Sequence, residues 1–494
     1  MRIRKVKTAS GKYALQVVSK HFGKVTVHKH IGSYDNDTQK ENLTNKARDY
    51  IQQSTEQLSI SDYVSKIDFE DIAITKSRPV FVYELLLRVY DKLGFSSYPD
   101  LLIKDLIIAR LYHPASKLKL QGALHESFDR FYGKRTMYRH LRQALKTGIQ
   151  EKFQKALIEF AKIGLNDSLR LVFYDVTTLY FESGLRKGIR DFGFSKDHRP
   201  MDTQIVVGLV VNRDGFPLYF DVFSGKTFEG HTFIPVIKNI QKLLGTKKLI
   251  VVADAAMISK DNIEKLTQEN IGFVVGARVA NFPVNLIDSI SSNLDTQDGK
   301  IFTTTYQNQR LICQYLAKRA AKDKSDRLKQ IERVEMAIST PSKITSRFRF
   351  AKTVGTTISL NQDLIIKAEK LEGIKGYLTN TQLPGERVIE RYHDLWRIEN
   401  SFRITKSDLE ARPILHRLDD TIKVHLMIVF AGLAIAKYLE INLGMSIERI
   451  LHIASKVLTH TIVNIKTGET VEKETAIEDP NLKQVIEQLR VVGH

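Results

Sequence analysis

Residues 169–181 read LRLVFYDVTTLYF, a run of apolar and β-branched residues that predicts a long buried strand. One aspartate, Asp175, interrupts this run between Tyr174 and Val176. A carboxylate inside a buried strand costs free energy unless it has a partner. Asp175 is therefore either a core carboxylate with satisfied hydrogen bonds or a residue kept for its chemistry.

The segments that follow predict the rest of a sheet. The hairpin turn signal Asn-Arg-Asp-Gly at 212–215 joins two strand patterns, and helical patterns separate the next two. Three strands in a meander followed by this alternation indicate βαβ crossovers and a mixed sheet. The predicted strands after the first lie at 203–211, 216–223, 248–254, 272–278 and, as a returning strand, 375–381.

A second aspartate ends the strand pattern at 248–254. Asp254 lies at the carboxyl end of a parallel-type strand, where α/β sheets place their sites. The alternative is that Asp254 only caps the helix that follows it, since aspartate is common at that position.

The segment RYHDLWRIENSFRITKSDLEARP, residues 391–413, predicts one late helix. Tyr392, Glu399 and Lys406 are seven residues apart, a spacing that keeps them on one solvent-facing side of a helix. An apolar stripe on the other side predicts docking against a core. Trp396 is either a member of that core or a residue that stacks on a base, and Glu399 taken alone is also compatible with an exposed helix charge. The stripe consists of Leu395, Ile398, Phe402 and Leu409.

Together, Asp175, Asp254 and Glu399 indicate a metal site. Three carboxylates without a cysteine or histidine cluster favour Mg²⁺ or Mn²⁺. Two such ions could activate water and stabilise the leaving oxygen in phosphodiester chemistry.

Composition points to a nucleic-acid partner. The 494 residues carry a formal net charge of +19, from 75 Lys and Arg against 56 Asp and Glu. A charge of this size favours a polyanion, and DNA is the first candidate. The single Cys313 excludes an intrachain disulfide framework. The N-terminal sequence lacks a signal-peptide pattern and the longest apolar run, 426–436, is too short to span a bilayer, so we expect a cytoplasmic protein without a membrane partner.

The order of patterns along the chain predicts seven segments. Residues 79–165 are predicted to form several short helices, and the basic side chains Arg139 and Arg142 on the last of them indicate either DNA contact or a solvated face. About ninety residues interrupt the core before the late helix. The predicted segments are a β-hairpin unit (1–35), a connector (36–78), a helical DNA-binding region (79–165), the first segment of the core (166–280), an insertion (281–372), the second segment of the core (373–444) and a C-terminal tail (445–494).

Three motifs carry a resemblance to a known family: DVTTLYFES at Asp175, ADAAM at Asp254 and LWRIENSFRITKSDLEARP at Glu399. The chain resembles DDE transposases of the insertion-sequence-4-like superfamily, and within it the insertion-sequence-1634-like group. The resemblance implies an α/β fold with a ribonuclease-H-like mixed-sheet core, a largely β insertion domain and an N-terminal helical DNA-binding region. The spacings are 254 − 175 = 79 and 399 − 254 = 145 residues, and the second leaves room for that insertion.

The resemblance also implies roles for individual residues. Asp175, Asp254 and Glu399 are the expected catalytic and metal-binding triad, and the expected DNA contacts include Tyr392 and Lys406. The family signature Tyr-x2-Arg-x3-Glu-x6-Lys has Leu395 in place of its arginine here. The candidates to replace its phosphate contact are Arg397 and Arg403.

The implied activity is divalent-metal-dependent cleavage and strand transfer on double-stranded DNA by a homodimer that brings two transposon ends together. Two alternatives stay open on the sequence. One is a ribonuclease-H-like nuclease that cuts without joining, and the other is a catalytically inert DNA-binding regulator derived from a transposase.

Overall fold

The computed structural model describes residues 1–21, 23–56, 71–246, 248–257, 259–339, 348–354 and 357–494. Contacts within the chain separate two units. One consists of Met1–Ser77 with His460–Lys473, and the other of Arg78–Thr459 with Glu474–His494.

The smaller unit is built from two antiparallel sheets and a helix. The predicted N-terminal hairpin region forms three strands, β1 (Arg2–Lys7), β2 (Tyr13–His21) and β3 (Lys24–Tyr34), and α1 (Asp37–Glu56) packs on them. The remainder of the predicted connector at 57–70 lies outside the described residues. The predicted tail contributes two of the three strands of a second sheet. This second sheet contains β4 (Ile72–Arg78), β15 (Thr459–Asn464) and β16 (Thr470–Glu474).

An eight-stranded mixed sheet forms the centre of the larger unit. Its strands are β5 (Leu171–Tyr180), β6 (Gln204–Val211), β7 (Pro217–Ser224), β8 (Ile250–Ala253), β9 (Gly272–Ala277), β10 (Ile301–Tyr306), β11 (Gln309–Tyr315) and β14 (Ile374–Thr379), in the order β10-β11-β14-β9-β8-β5-β6-β7. Strands β5, β6 and β7 form the predicted meander, and β5, β8 and β9 are parallel, so the predicted crossovers are confirmed. The predicted returning strand, β14, pairs antiparallel with β9.

Helices cover this sheet, and most of them share its hydrophobic core, whereas the helices at 317–339 and 362–370 bury Val334 and Ile365 in a separate small cluster with Phe350. The helical region at 79–165 contributes five of them, so its apolar faces are buried in the same cluster as the central strands. They are α2 (Val80–Lys92), α3 (Leu101–Tyr112), α4 (Lys117–Phe128), α5 (Lys134–Lys146) and α6 (Ile149–Ile163). The others are α7 (Glu229–Leu244), α8 (Lys260–Gln268), α9 (Val284–Leu294), α10 (Ala317–Ser339), α11 (Gln362–Lys370), α12 (Gly385–His393), α13 (Trp396–Arg403), α14 (Asp419–Leu443), α15 (Ile447–Ala454) and α16 (Pro480–Val491).

Helix α14 contains the longest apolar run of the chain. It is long and apolar enough to cross a membrane, but 89% of its apolar window is buried inside the protein. Its neighbours in the core include α3, α5 and β7. The apolar sequence of α14 is therefore accounted for by its place in the core.

The block at 281–372 differs from the expected largely β insertion, and that expectation is wrong. Its hairpin β10–β11 extends the central sheet beyond β14, and its longest element is the 23-residue helix α10. The sequence of α10 is rich in Ala, Lys, Arg and Glu, which favour helix over strand. Besides α9, α10 and α11, the block adds the short strands β12 (Ala351–Val354) and β13 (Thr357–Leu360).

Candidate active site

The register of the central strands brings the two aspartates together. In the parallel pair β5–β8, Tyr174 is the partner of Ala253, so the next residues, Asp175 and Asp254, follow at adjacent positions of neighbouring strands. Both then lie where β8 ends, at the edge that α/β sheets use for their sites. The sheet therefore explains why aspartates 79 residues apart in sequence share one place.

Asp175 lies in a buried environment. Its neighbours Tyr174 and Val176 are almost fully buried, and the backbone N–H of Val176 donates to its carboxylate. Burial raises the pKa of Asp175 to about 6; the Lys196 ammonium opposes this rise, while the negative charge of Asp254 adds to it. Repulsion between two carboxylates and the cost of burial are the conditions that a bound cation would relieve.

Asp254 is exposed and is held by two hydrogen bonds. Its Oδ1 accepts from the backbone N–H of Ala255 at 2.6 Å and from the hydroxyl of Tyr392 at 3.0 Å. Burial and the Asp254 carboxylate raise the pKa of Tyr392 above its usual value, so the hydroxyl remains a donor. The absence of a side chain at Gly276 makes room for Tyr392, because a Cβ there would lie 2.5 Å from the tyrosine oxygen. Tyr392 is thus buried against the sheet, and the prediction that it faces solvent is wrong.

The late helix is interrupted, which explains this difference. α12 ends at His393, α13 begins at Trp396, and a π-helical turn follows at Ile404–Asp408. Between the helices the backbone bonds run three residues back, from Leu395 N to Tyr392 O (3.2 Å) and from Ile398 N to Leu395 O (3.1 Å). Such turns are tighter than an α-helix, and π-helical turns are wider. Residues seven apart, such as Tyr392, Glu399 and Lys406, therefore no longer lie on the same side of the segment. The prediction of one continuous helix over residues 391–413 is therefore wrong.

The apolar stripe of this segment is confirmed, because Leu395, Ile398, Phe402 and Leu409 are all buried. With the stripe facing the core, Glu399 projects from α13 on the exposed side. The helix is also tied to the β6–β7 hairpin, since the Ser401 hydroxyl donates to the carbonyl of Gly215 at 3.0 Å. Packing on this side therefore orients Glu399.

Asp175, Asp254 and Glu399 line one cleft of about 460 Å³. Its wall also contains Lys196, Lys375, Tyr392, His393 and Trp396. Among the residues that the structure describes, no three His, Cys, Asp or Glu side chains are gathered closely enough to hold a metal ion. The three carboxylates therefore share a cleft and offer the oxygen ligands that suit Mg²⁺ or Mn²⁺, without already surrounding one point.

A comparison with known proteins shows the family to which the chain belongs. The family model described as "Transposase DDE domain" matches residues 168–435, more than half of the chain and all three carboxylates. The chain belongs to the DDE transposase family. Among solved structures, a cryo-electron-microscopy structure of a piggyBac transposase synaptic complex with hairpin DNA is similar, with a TM-score of 0.40 and 9% sequence identity over 77% of this chain and 79% of that chain. No curated protein sequence matches the chain.

Two lysines in the cleft were missed by sequence reasoning. The Lys196 ammonium donates to the carbonyl of Val176 at 2.7 Å and lies 2.9 Å from Glu229 Oε1. The Lys375 ammonium lies 4.7 Å from the centre of the Tyr392 ring, and burial lowers the pKa of Lys375. Lys375 was recoverable as a charge at the start of a buried strand, whereas Lys196 lies in a loop without any pattern. Both place positive charge among the carboxylates of this member of the DDE transposase family.

Trp396 is exposed, with 55% of its surface accessible, so its interpretation as a core residue is wrong. It lines the cleft, and the Arg397 guanidinium lies 5.1 Å from the centre of its ring. An exposed aromatic beside a cation is an arrangement on which a base can stack.

The other predicted DNA contacts lie in different surroundings. Arg397 pairs with Asp394 and Arg403 with Asp408, at 3.6 and 3.1 Å. Lys406 is mostly buried, with its ammonium 3.4 Å from Asp197 Oδ1. The prediction that Lys406 shares an open face with Glu399 is therefore wrong. Arg139 and Arg142 lie on the exposed side of α5, opposite its buried residues Met137, Leu141 and Ala144.

Proposed function

We propose that this chain is the transposase of a bacterial-type insertion sequence, which cleaves double-stranded DNA at transposon ends and joins the freed strand to target DNA. The observation that carries the proposal is the strand register that sets Asp175 beside Asp254, in one cleft with Glu399, within a domain of the DDE transposase family. The proposal includes a cytoplasmic protein that acts as a homodimer on two ends.

The three carboxylates would hold Mg²⁺ or Mn²⁺, two ions in all. When bound, the ions would supply Lewis-acid activation of water and stabilisation of the leaving oxygen. Asp254 is preoriented for this role by the hydrogen bonds from Ala255 and Tyr392. Lys196 neutralises some of the charge on Asp175 in the free protein.

The proposed chemistry has two displacements at phosphorus. In cleavage, the oxygen of water bonds to phosphorus and loses a proton, the bond from phosphorus to the 3′ oxygen breaks, and that oxygen takes a proton to become a 3′-hydroxyl. In strand transfer, the 3′-hydroxyl oxygen bonds to a target phosphorus and loses its proton, and the bond from that phosphorus to the target's 3′ oxygen breaks, so that this oxygen takes a proton and becomes a new 3′-hydroxyl. Both displacements need an attacking and a leaving oxygen held in line, which suits a cleft with acidic groups on adjacent strands and on a facing helix.

A plasmid integration assay tests the proposal, with linear DNA that carries both flanks of the gene and Mg²⁺. We expect joined products from the wild type and a fall of at least about 100-fold for Asp175→Asn, Asp254→Asn and Glu399→Gln, because each removes a ligand oxygen. The matched control is Glu264→Gln, which removes an exposed helix carboxylate that pairs with Lys260. Hydrolysed ends without joined molecules would favour the nuclease alternative. Triad variants that join as the wild type does would overturn the proposal.

A further inference from the structure

A cluster of three charged residues, Asp197, Lys406 and Arg412, lies beside the candidate active site. The Lys406 ammonium and the Arg412 guanidinium both contact Oδ1 of Asp197. The other carboxylate oxygen, Oδ2, is buried and has no hydrogen-bond partner among the described residues. Asp197 follows Lys196, which lines the cleft, so this carboxylate holds two cations at the edge of the site.

The backbone after α13 brings the two cations together. The π-helical turn carries Lys406, and the chain then reverses through bonds from Leu409 N to Ile404 O (2.9 Å) and from Ala411 N to Thr405 O (3.0 Å). Arg412 therefore returns to the side of Lys406, six positions earlier in the sequence.

The far side of this turn is anchored to the central sheet. Ile414 N donates to the carbonyl of Tyr180 at 3.0 Å, at the end of β5. The Arg412 guanidinium lies 5.8 Å from the centre of the Tyr180 ring. The strand that carries Asp175 thus also fixes the position of Arg412.

Two cations this close repel each other, and burial adds to the cost of their charge. Burial lowers the pKa of Lys406 and the charge of Arg412 lowers it further, whereas Asp197 raises it. An anion between the two is what makes the arrangement stable. Asp197 supplies that anion, but its Oδ2 finds no hydrogen-bond partner in the part of the chain that the structure describes.

We propose that Lys406 and Arg412 form a two-cation site for a phosphate of the DNA backbone, and that Asp197 occupies this site in the free protein as an internal substitute for the phosphate. The inference rests on the proposed function and names a phosphate contact of the same site. A phosphodiester carries one negative charge on two non-bridging oxygens, as a carboxylate does, and the arginine fork suits such a group. Leu395 occupies the position of the arginine in the family signature and cannot contact a phosphate. On this proposal Arg412 makes that contact, and the sequence-based candidates Arg397 and Arg403 do not.

Equilibrium binding of a 40-base-pair duplex from one flank of the gene tests this inference, with EDTA present so that no cleavage occurs. Asp197→Asn should bind the duplex about tenfold more tightly than the wild type, because the cations no longer exchange a carboxylate for the phosphate. Arg412→Gln should bind about tenfold more weakly and lower the salt slope by about one. In the double variant the gain from Asp197→Asn should be lost.

The matched control is Asp202→Asn, which makes the same change of charge in the same loop but removes a partner of Arg199. If Asp197→Asn gains no more affinity than Asp202→Asn, or keeps its gain beside Arg412→Gln, the inference is overturned. Thermal unfolding checks each fold, and Arg412→Lys, which keeps the charge without the fork, replaces Arg412→Gln if the latter unfolds. Binding in EDTA and joining in Mg²⁺ are measured in separate assays. The binding results can therefore disprove this inference even if the protein joins DNA normally. Likewise, a protein that fails to join DNA can still show the predicted changes in affinity.

Discussion

At the scale of single residues, the candidate site combines a buried carboxylate with an exposed one. Asp175 could be predicted from sequence because a charge in a buried strand is conspicuous, and Asp254 because it follows one. The contact between Tyr392 and Asp254 could not be predicted, because it depends on the interruption of the late helix and on the space above Gly276.

The raised pKa of Asp175 predicts how stability depends on pH without added metal. Its carboxyl is neutral in the folded protein below about pH 6, whereas the reference value is 3.8. The free energy of unfolding therefore falls as the pH rises from 3.8 through 6, and it stays lower at higher pH. We expect Asp175→Asn to raise the free energy of unfolding by about 2 kcal/mol at pH 8 and by much less at pH 4.5. Urea unfolding at both pH values measures the difference, and an equal gain at both would contradict the assignment.

The hydroxyl of Tyr392 predicts a separate effect on activity. Tyr392→Phe keeps the ring in place and removes the donor to Asp254, so we expect cleavage to slow by about tenfold with little change in thermal unfolding. Gly276→Ala should slow cleavage and, unlike Tyr392→Phe, lower the free energy of unfolding by about 1–3 kcal/mol, because the added Cβ displaces the Tyr392 ring. The control is Tyr219→Phe, whose hydroxyl contacts Asn239. Cleavage by Tyr392→Phe at the wild-type rate would show that this bond does not orient Asp254.

At the scale of elements, the order and type of the core strands were predictable, because long apolar runs and turn signals mark them. The late helix was predictable in its apolar stripe and not in its continuity, since tight and wide turns leave no periodic trace in so short a segment. The expectation of a largely β block at 281–372 came from the resemblance to the family, whereas the hairpin β10–β11 of this block belongs to the central sheet and its longest element is the helix α10.

The exposed side of α5 yields a prediction at this scale. Arg139→Gln and Arg142→Gln should each weaken binding of DNA duplexes of any sequence and lower the salt slope by about one, because a backbone contact carries no sequence information. Lys265→Gln on α8, whose side chain pairs with Asp261, is the control. If both arginine variants bind as the control does, α5 presents only a solvated face.

At the scale of the whole molecule, the net charge of +19 is the property most visible in the sequence. If it reflects contacts with DNA phosphates, the logarithm of the affinity should fall linearly with the logarithm of salt concentration, by a total of about 10³–10⁵ between 50 and 200 mM for six to ten contacts. Fluorescence anisotropy with a labelled duplex measures the slope. An affinity that does not change with salt would contradict an electrostatic interface.

The central claim is that Asp175, Asp254 and Glu399 form one metal-binding active site. Electron paramagnetic resonance during a Mn²⁺ titration of the full chain bound to a flank duplex tests it most directly. We expect up to two bound ions per chain in the wild type and in Glu264→Gln, and a large loss of binding in Asp175→Asn, Asp254→Asn and Glu399→Gln alike. Wild-type binding of Mn²⁺ by any one of these three variants, with its fold intact, would contradict the claim.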